Sequence, residues 1–110
     1  MSEIFDLSVS EISSLIKNKE LKAETVLSTY LKNINQFNND INAIVSLVPT
    51  NQLFEEAAKI DNLDPNASEH KPFLGIPIAI KDLEDTQGIR TTYGSKIFET
   101  HVPKEDGIIA

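Results

Sequence analysis

The chain has 110 residues, with 10 Lys and Arg against 17 Asp and Glu, so its formal net charge is −7. It contains no cysteine, which excludes a small secreted domain stapled by disulfides. No apolar run approaches the roughly 20 residues of a membrane-spanning helix, and the acidic start at Glu3 and Asp6 is unlike a signal peptide. We therefore expect a cytoplasmic protein that does not contact membranes.

The charged residues are unevenly distributed. Residues 1–39 carry five acidic and four basic side chains, whereas residues 40–110 carry twelve and six. The basic residues form no cluster that could contact successive phosphates, so we expect no direct nucleic-acid binding. His70 and His101 lack partners at metal-ligand spacing. The acidic stretch 82–85 lacks the pattern of a calcium loop and is expected to be a solvated turn. The sequence thus predicts neither a metal nor a cofactor.

Helical periodicity predicts three helices in chain order. The first spans 8–19 and begins with a capping box, because Ser8 and Glu11 have the S-x-x-E spacing. The second spans 23–37 and is expected to stop at the polar cluster 38–40, whose side chains compete for backbone hydrogen bonds.

The third helix is predicted over 50–60, with Leu53, Phe54, Ala57 and Ala58 facing inward. Near the last residue, the segment 105–110 resembles the first turn of a further helix, since acidic residues favour a helix N-terminus.

Two segments have the pattern of strands. Residues 43–48 are short, β-branched and bounded by Asn42 and Pro49, and residues 74–82 alternate bulky isoleucines with small side chains. The order of elements predicts an α/β or α+β arrangement, and we expect an α/β fold. Because a sheet of two strands is marginal by itself, we expect a single incomplete domain over residues 1–110. Amphipathic helices occupy 1–40, and the first strands and helices of an α/β core occupy 41–110.

Lys81 is the candidate catalytic residue. It ends an otherwise apolar predicted strand, and functional groups of α/β proteins tend to lie at the carboxyl ends of strands. Burial among apolar walls lowers the pKa of a lysine, which allows its uncharged amine to act as a base at neutral pH. The alternative is a lysine that reaches solvent or pairs with Asp82, Glu84 or Asp85.

The residues around Lys81 resemble the N-terminal part of the amidase signature family. The resemblance is carried by Gly75-Ile76-Pro77-Ile78-Ala79-Ile80-Lys81-Asp82 and by Asp85-Thr86-Gln87-Gly88-Ile89-Arg90-Thr91-Thr92-Tyr93-Gly94-Ser95. Residues 41–45, 55–58 and 102–106 are also similar to the family. The resemblance implies the first part of a fold in which helices pack on a mixed sheet.

The resemblance also implies a mechanism. In the family, the lysine at the position of Lys81 belongs to a Ser–cis-Ser–Lys triad that hydrolyses a carboxamide C–N bond in a small-molecule amide substrate. Neither serine of the triad has a counterpart here, so the positions of both would lie beyond residue 110. Asp82 is expected to support the site rather than to react. The chain alone is therefore expected to be inactive, as an N-terminal segment of a longer enzyme.

Two other interpretations stay open. The A subunits of the glutamyl-tRNA(Gln) amidotransferases belong to the same family, but Leu83 stands where those subunits usually have Asn, which favours a general amidase. A non-catalytic helical interaction module is the second alternative. Because apolar faces meant for further strands would be exposed, we also expect the isolated chain to self-associate.

Overall fold

The computed structural model describes residues 2–68 and 70–110, and the chain divides into two compact units. The helical unit comprises Met1–Ile41 and Pro49–Pro77, and the loop unit comprises Asn42–Val48 and Ile78–Ala110. Within the described ranges, the α-helices all belong to the helical unit: α1 (Ser2–Phe5), α2 (Val9–Lys17), α3 (Ala23–Ile41) and α4 (Thr50–Asp61). Short 3₁₀ turns occupy Pro65–Ser68 and Lys96–Phe98.

Helix α2 begins at the predicted capping box. The Ser8 hydroxyl accepts a hydrogen bond from the Glu11 amide at 3.1 Å, and the Glu11 carboxylate accepts one from the Ser8 amide at 3.2 Å. Two backbone donors that the helix itself leaves unpaired are thereby satisfied. Ile12 and Ile16 are both 3% exposed, so this face of α2 packs into the core.

Helix α3 is longer than predicted. It was expected to stop after Phe37, but the backbone remains helical through residues 38–40 and ends at Ile41. Asn42 follows with φ of 48°, in the left-handed region that often terminates helices and that Asn adopts more readily than most residues. The prediction was wrong because a weak local preference for turns does not stop a helix, whereas a left-handed residue does.

Helix α4 agrees with its prediction to within one residue and packs against α3. Ala57 is buried as expected, Leu53 and Phe54 are half-buried, and Ala58 is exposed rather than inward-facing. The core of the helical unit gathers buried apolar side chains from α1 to α4 and from the segment after them: Ile4, Ile12, Ile16, Ala23, Val26, Ala57 and Leu74.

A carboxylate from the end of α4 caps the start of α3. Asp61 accepts hydrogen bonds from the Ala23 amide at 2.6 Å and from the Glu24 amide at 3.2 Å. Lys19, in the turn before α3 with φ of 62°, donates its ammonium to the Asp61 carbonyl at 2.9 Å and to the Leu63 carbonyl at 2.8 Å. Residues about forty positions apart thus fasten the α2–α3 turn to the end of α4.

The segment that was predicted as the second strand starts against α2. Leu74 is 9% exposed, and Gly75 has φ of 77°. A Cβ atom on Gly75 would lie 2.5 Å from the Ile16 Cδ1 atom, closer than real Cβ atoms come to a neighbour. Glycine is therefore required here both by the backbone conformation and by the close approach of the helix.

Neither predicted strand forms in the described part of the chain. Residues 43–48 and 76–81 have no β-ladder. The β-pairing in the described ranges is limited to an isolated bridge between Thr86 and Ile89, outside both segments. A strand exists only with a partner that completes its hydrogen bonds, and a two-stranded sheet is marginal in water. The expected α/β fold is thus not formed by the described residues, which form helices and loops without a sheet.

The predicted helix at 105–110 is also absent from the described structure. The Asp106 carboxylate, expected in a first helical turn, instead accepts a hydrogen bond from the Gln87 amide at 2.7 Å. None of the helices in the described ranges has the length and apolar character needed to cross a bilayer.

We expect Asp61→Ala to destabilise the helical unit by about 1–2 kcal/mol, the upper range for the loss of a capping carboxylate. The negative charge of this carboxylate also interacts favourably with the positive end of the helix dipole. Asp61→Asn keeps an acceptor and should lose less. Urea unfolding followed by circular dichroism gives the change as a shift in midpoint at constant m-value. Glu56→Ala, an exposed change in the same helix, serves as control, and equal midpoints for both alanine variants would refute the role of Asp61.

Candidate functional site

Lys81 lies in the loop unit at the start of a tight turn. Its carbonyl accepts a hydrogen bond from the Glu84 amide at 3.0 Å, while its side chain is exposed. Ala79 is also exposed, and Ile80 is 37% exposed. The apolar enclosure that the sequence suggested for this lysine is therefore not supplied by the described residues of the chain.

Asp82 fastens this turn to the segment that contains Thr92. Its carboxylate accepts a hydrogen bond from the Thr92 amide at 2.7 Å and a second one from the Thr92 hydroxyl. Its carbonyl accepts from the Tyr93 amide at 2.9 Å. The hydrogen bonds from Thr92 favour the charged carboxylate and hold the pKa of Asp82 below its usual value of 3.8, with a smaller contribution from the charge of Arg90.

Asp85 binds the hydroxyl of Tyr93, which donates a hydrogen bond to it. The same hydroxyl lies 3.4 Å from the Nε2 atom of His101, and the ring of Tyr93 meets that of Phe98 edge to face at 5.1 Å. Donation to Asp85 favours the neutral phenol and raises the pKa of Tyr93 above 10.0, as does partial burial. Tyr93 is held in the left-handed region, with φ of 54°.

Arg90 binds three acceptors that come from different parts of the loop unit. Its guanidinium donates to the Val45 carbonyl at 2.7 Å, to the Ser46 hydroxyl at 3.1 Å and to the Glu99 carbonyl at 3.0 Å. The planar fork of donors suits this kind of multiple contact. Arg90 thus fixes the segment 43–48, predicted as a strand, without any ladder.

The structure gathers polar groups around the turn that follows Lys81. The expectation of a solvated acidic turn is wrong for Asp82 and Asp85, because both carboxylates are engaged by residues 92 and 93. Arg90 had no predicted role, and its one signal in the sequence is a lone arginine before two threonines. In the structure these threonines, 91 and 92, are 2% and 8% exposed. Among the described residues, no three His, Cys, Asp or Glu side chains lie close enough to hold a metal ion.

Comparisons with known proteins identify the relatives of the chain. A family model described as Amidase matches residues 25–110. The glutamyl-tRNA(Gln) amidotransferase A subunit of Geobacter sp. (strain M21) is 35% identical over 105 residues, covering 96% of this chain and 21% of the relative. Its counterpart in Bdellovibrio bacteriovorus is 38% identical over 99 residues, covering 90% and 20%. The counterpart in Persephonella marina is 36% identical over 107 residues, covering 97% and 22%.

The chain therefore spans about a fifth of the length of the curated relatives that it matches. No solved structure was found to match it.

The lowered pKa of Asp82 has a consequence for stability. The carboxylate stabilises the folded loop unit fully above its unfolded pKa of about 3.9, and this contribution is lost as the pH falls through the lowered folded value. We expect the Thr92 amide resonance of the folded chain to titrate in that acidic window. In Asp82→Asn this titration should disappear, whereas Asp40→Asn, which changes an exposed aspartate of α3, should preserve it. An unchanged titration in Asp82→Asn would assign the effect to another group.

Proposed function

The chain belongs to the amidase family, and from this membership we propose that it supplies Lys81 to an active site that hydrolyses carboxamide C–N bonds. The observation that carries the proposal is the family match over residues 25–110, which includes Lys81 and the hydrogen-bonded turn that follows it. The exposure of the lysine side chain supports the same role, because a group that reacts with partners outside the chain has to be accessible to them.

The proposed chemistry uses Lys81 as a base. Its uncharged amine takes a proton from a bridging serine, which takes the proton of a nucleophilic serine as that oxygen attacks the carboxamide carbon. The C–N bond then breaks, the leaving amine departs with a proton, and water hydrolyses the acyl-enzyme to restore the serine. Backbone amides stabilise the oxyanion of each tetrahedral intermediate. Both serines would be contributed by sequence outside these 110 residues.

We further propose that the mixed sheet forms when the sequence that contributes the two serines is present. Ile78 and Ile97 are 82% and 86% exposed, more than a finished core would leave to solvent. Residues 78–80 lie in no β-ladder of the described chain, so added strands can pair with their backbone groups. Added strands would also enclose Lys81, which the described chain leaves open.

Lys81→Ala tests the central claim. The chain is co-expressed with the part of a relative that lies outside the matched region, for example that of the Bdellovibrio protein, and ammonia release from a panel of primary carboxamides is measured. General bases contribute about 100-fold to 10,000-fold in rate, so we expect Lys81→Ala to lose at least about 100-fold in kcat. Lys71→Ala, another exposed lysine, should stay near the unmodified rate. Near-normal hydrolysis by Lys81→Ala would reject the assignment.

The chain without that complement should release no ammonia and should bind a hydrophobic dye and self-associate, because its exposed apolar side chains have no cover. Sedimentation at several concentrations and dye fluorescence measure both effects. Ile78→Lys combined with Ile97→Lys should reduce them, while Lys59→Arg, an exposed change in α4, should not. A dye-free monomer with a sharp thermal transition would contradict the expectation.

The A subunit of a glutamyl-tRNA(Gln) amidotransferase is the second candidate, favoured by the names of the relatives. Leu83 and the net charge of −7 favour a general amidase instead. If the second candidate is correct, glutamyl-tRNA(Gln) should stimulate ammonia release by the co-expressed assembly, and the same tRNA without its amino acid should not. Equal rates with both RNAs would favour the general amidase.

A further inference from the structure

We propose that Asp82 is a positioning residue for Lys81, and that it acts through Thr92. The inference rests on the proposed function, since it assigns the group that holds the backbone of the reacting lysine. It goes beyond the role of Lys81 because Asp82 is given a defined partner and a measurable effect on the rate of the chemical step.

Hydrogen bonds hold the backbone after Lys81 on both sides of the turn. The carbonyl of Lys81 accepts from the Glu84 amide at 3.0 Å, which closes the turn. The next residue, Asp82, is held by three hydrogen bonds, two to its carboxylate and one to its carbonyl. The Lys81 side chain is exposed, but the backbone that carries it is therefore held in place.

Thr92, the partner of Asp82, lies inside the loop unit. Thr92 is 8% exposed and its neighbour Thr91 is 2% exposed, so the anchor lies inside the loop unit rather than on a mobile surface. The hydroxyl of Thr92 is also used as an acceptor by the Gly94 amide at 3.2 Å. Thr91 donates its amide to the His101 carbonyl at 3.0 Å, which ties the anchor to a further segment.

Asp82 does not take part directly in the proposed reaction. Its carboxylate already accepts an amide and a hydroxyl hydrogen bond, and both favour the ionised form. Catalytic groups have to be held within a fraction of an ångström for full rate, so a clamp at the next residue affects catalysis through geometry. We term the two hydrogen bonds between Asp82 and Thr92 the Asp82 clamp.

Amide hydrogen exchange on the chain tests the clamp without any need for catalysis. Asp82→Asn replaces the charged acceptor of both clamp hydrogen bonds with a neutral amide, so exchange at the amides of Glu84 and Tyr93 should increase by about 10-fold or more, which corresponds to about 1.4 kcal/mol of local stability. Amides of α3 should be unchanged. Asp64→Asn is the matched control, because Asp64 also accepts a backbone amide, that of Asn66 at 2.9 Å, but belongs to the helical unit. Equal exchange in both variants would overturn the clamp.

Kinetics of the co-expressed assembly test the positioning role. With rates normalised to the number of titrated active sites, Asp82→Asn and Thr92→Val should each lower kcat about 10-fold or more with little change in KM. Thr92→Ser keeps the hydroxyl and should retain the rate. Because both groups act through one contact, the double variant Asp82→Asn/Thr92→Val should lose no more than either single variant.

The outcomes separate the two claims. Inactive Lys81→Ala together with full kcat in Asp82→Asn would overturn the positioning role alone. Active Lys81→Ala would overturn the proposed function and, with it, the positioning role. Loss in Thr92→Ser equal to that in Thr92→Val, or additive losses in the double variant, would show that these residues serve folding and not the placement of Lys81.

Discussion

The loop unit depends on one constraint, which is that backbone N–H and C=O groups need hydrogen-bond partners even where no sheet forms. Charged side chains meet this requirement here. Asp82 pairs the Thr92 amide, Asp106 pairs the Gln87 amide, and Arg90 pairs the carbonyls of Val45 and Glu99. Each is a hydrogen bond to an ionised group, which contributes more than a neutral one. A segment that is nearly free of regular secondary structure can therefore keep a defined path.

The helical unit solves the same problem at the start of α3. The residue before this helix is Lys22, whose side chain has no acceptor, so the amides of Ala23 and Glu24 donate to the Asp61 carboxylate at the end of α4 instead. A local cap would fix only the helix start. A cap from another helix also fixes how α3 and α4 are joined, which adds to the apolar packing of Val26 and Ala57.

The sequence predicted those features whose causes are local. The start of α2 follows from Ser8 and Glu11, and α4 follows from its periodicity, because the interacting residues are three or four positions apart. The end of α3 depended on a left-handed Asn42, which composition does not distinguish from Asn38 or Asn39. The contacts of Arg90 with Val45 and Ser46 join residues about 45 positions apart, and no periodicity encodes such a pairing. Lys81 was predicted as the catalytic residue from its position and from the resemblance, whereas the Asp82 clamp was visible only in the structure.

The Lys81 side chain is exposed, whereas hydrogen bonds hold the backbone after it. In the proposed enzyme, the position and the environment of the lysine would therefore be set by different parts of the protein. A lysine in water is almost fully protonated at neutral pH and is a poor base, so it has to be enclosed before it can act. Position, by contrast, can be set beforehand, and the Asp82 clamp sets it within 110 residues. Enclosure by added strands would then change the environment of the amine without moving its backbone. In the proposed enzyme, assembly of the rest of the site would therefore complete the surroundings of a lysine whose backbone is already placed.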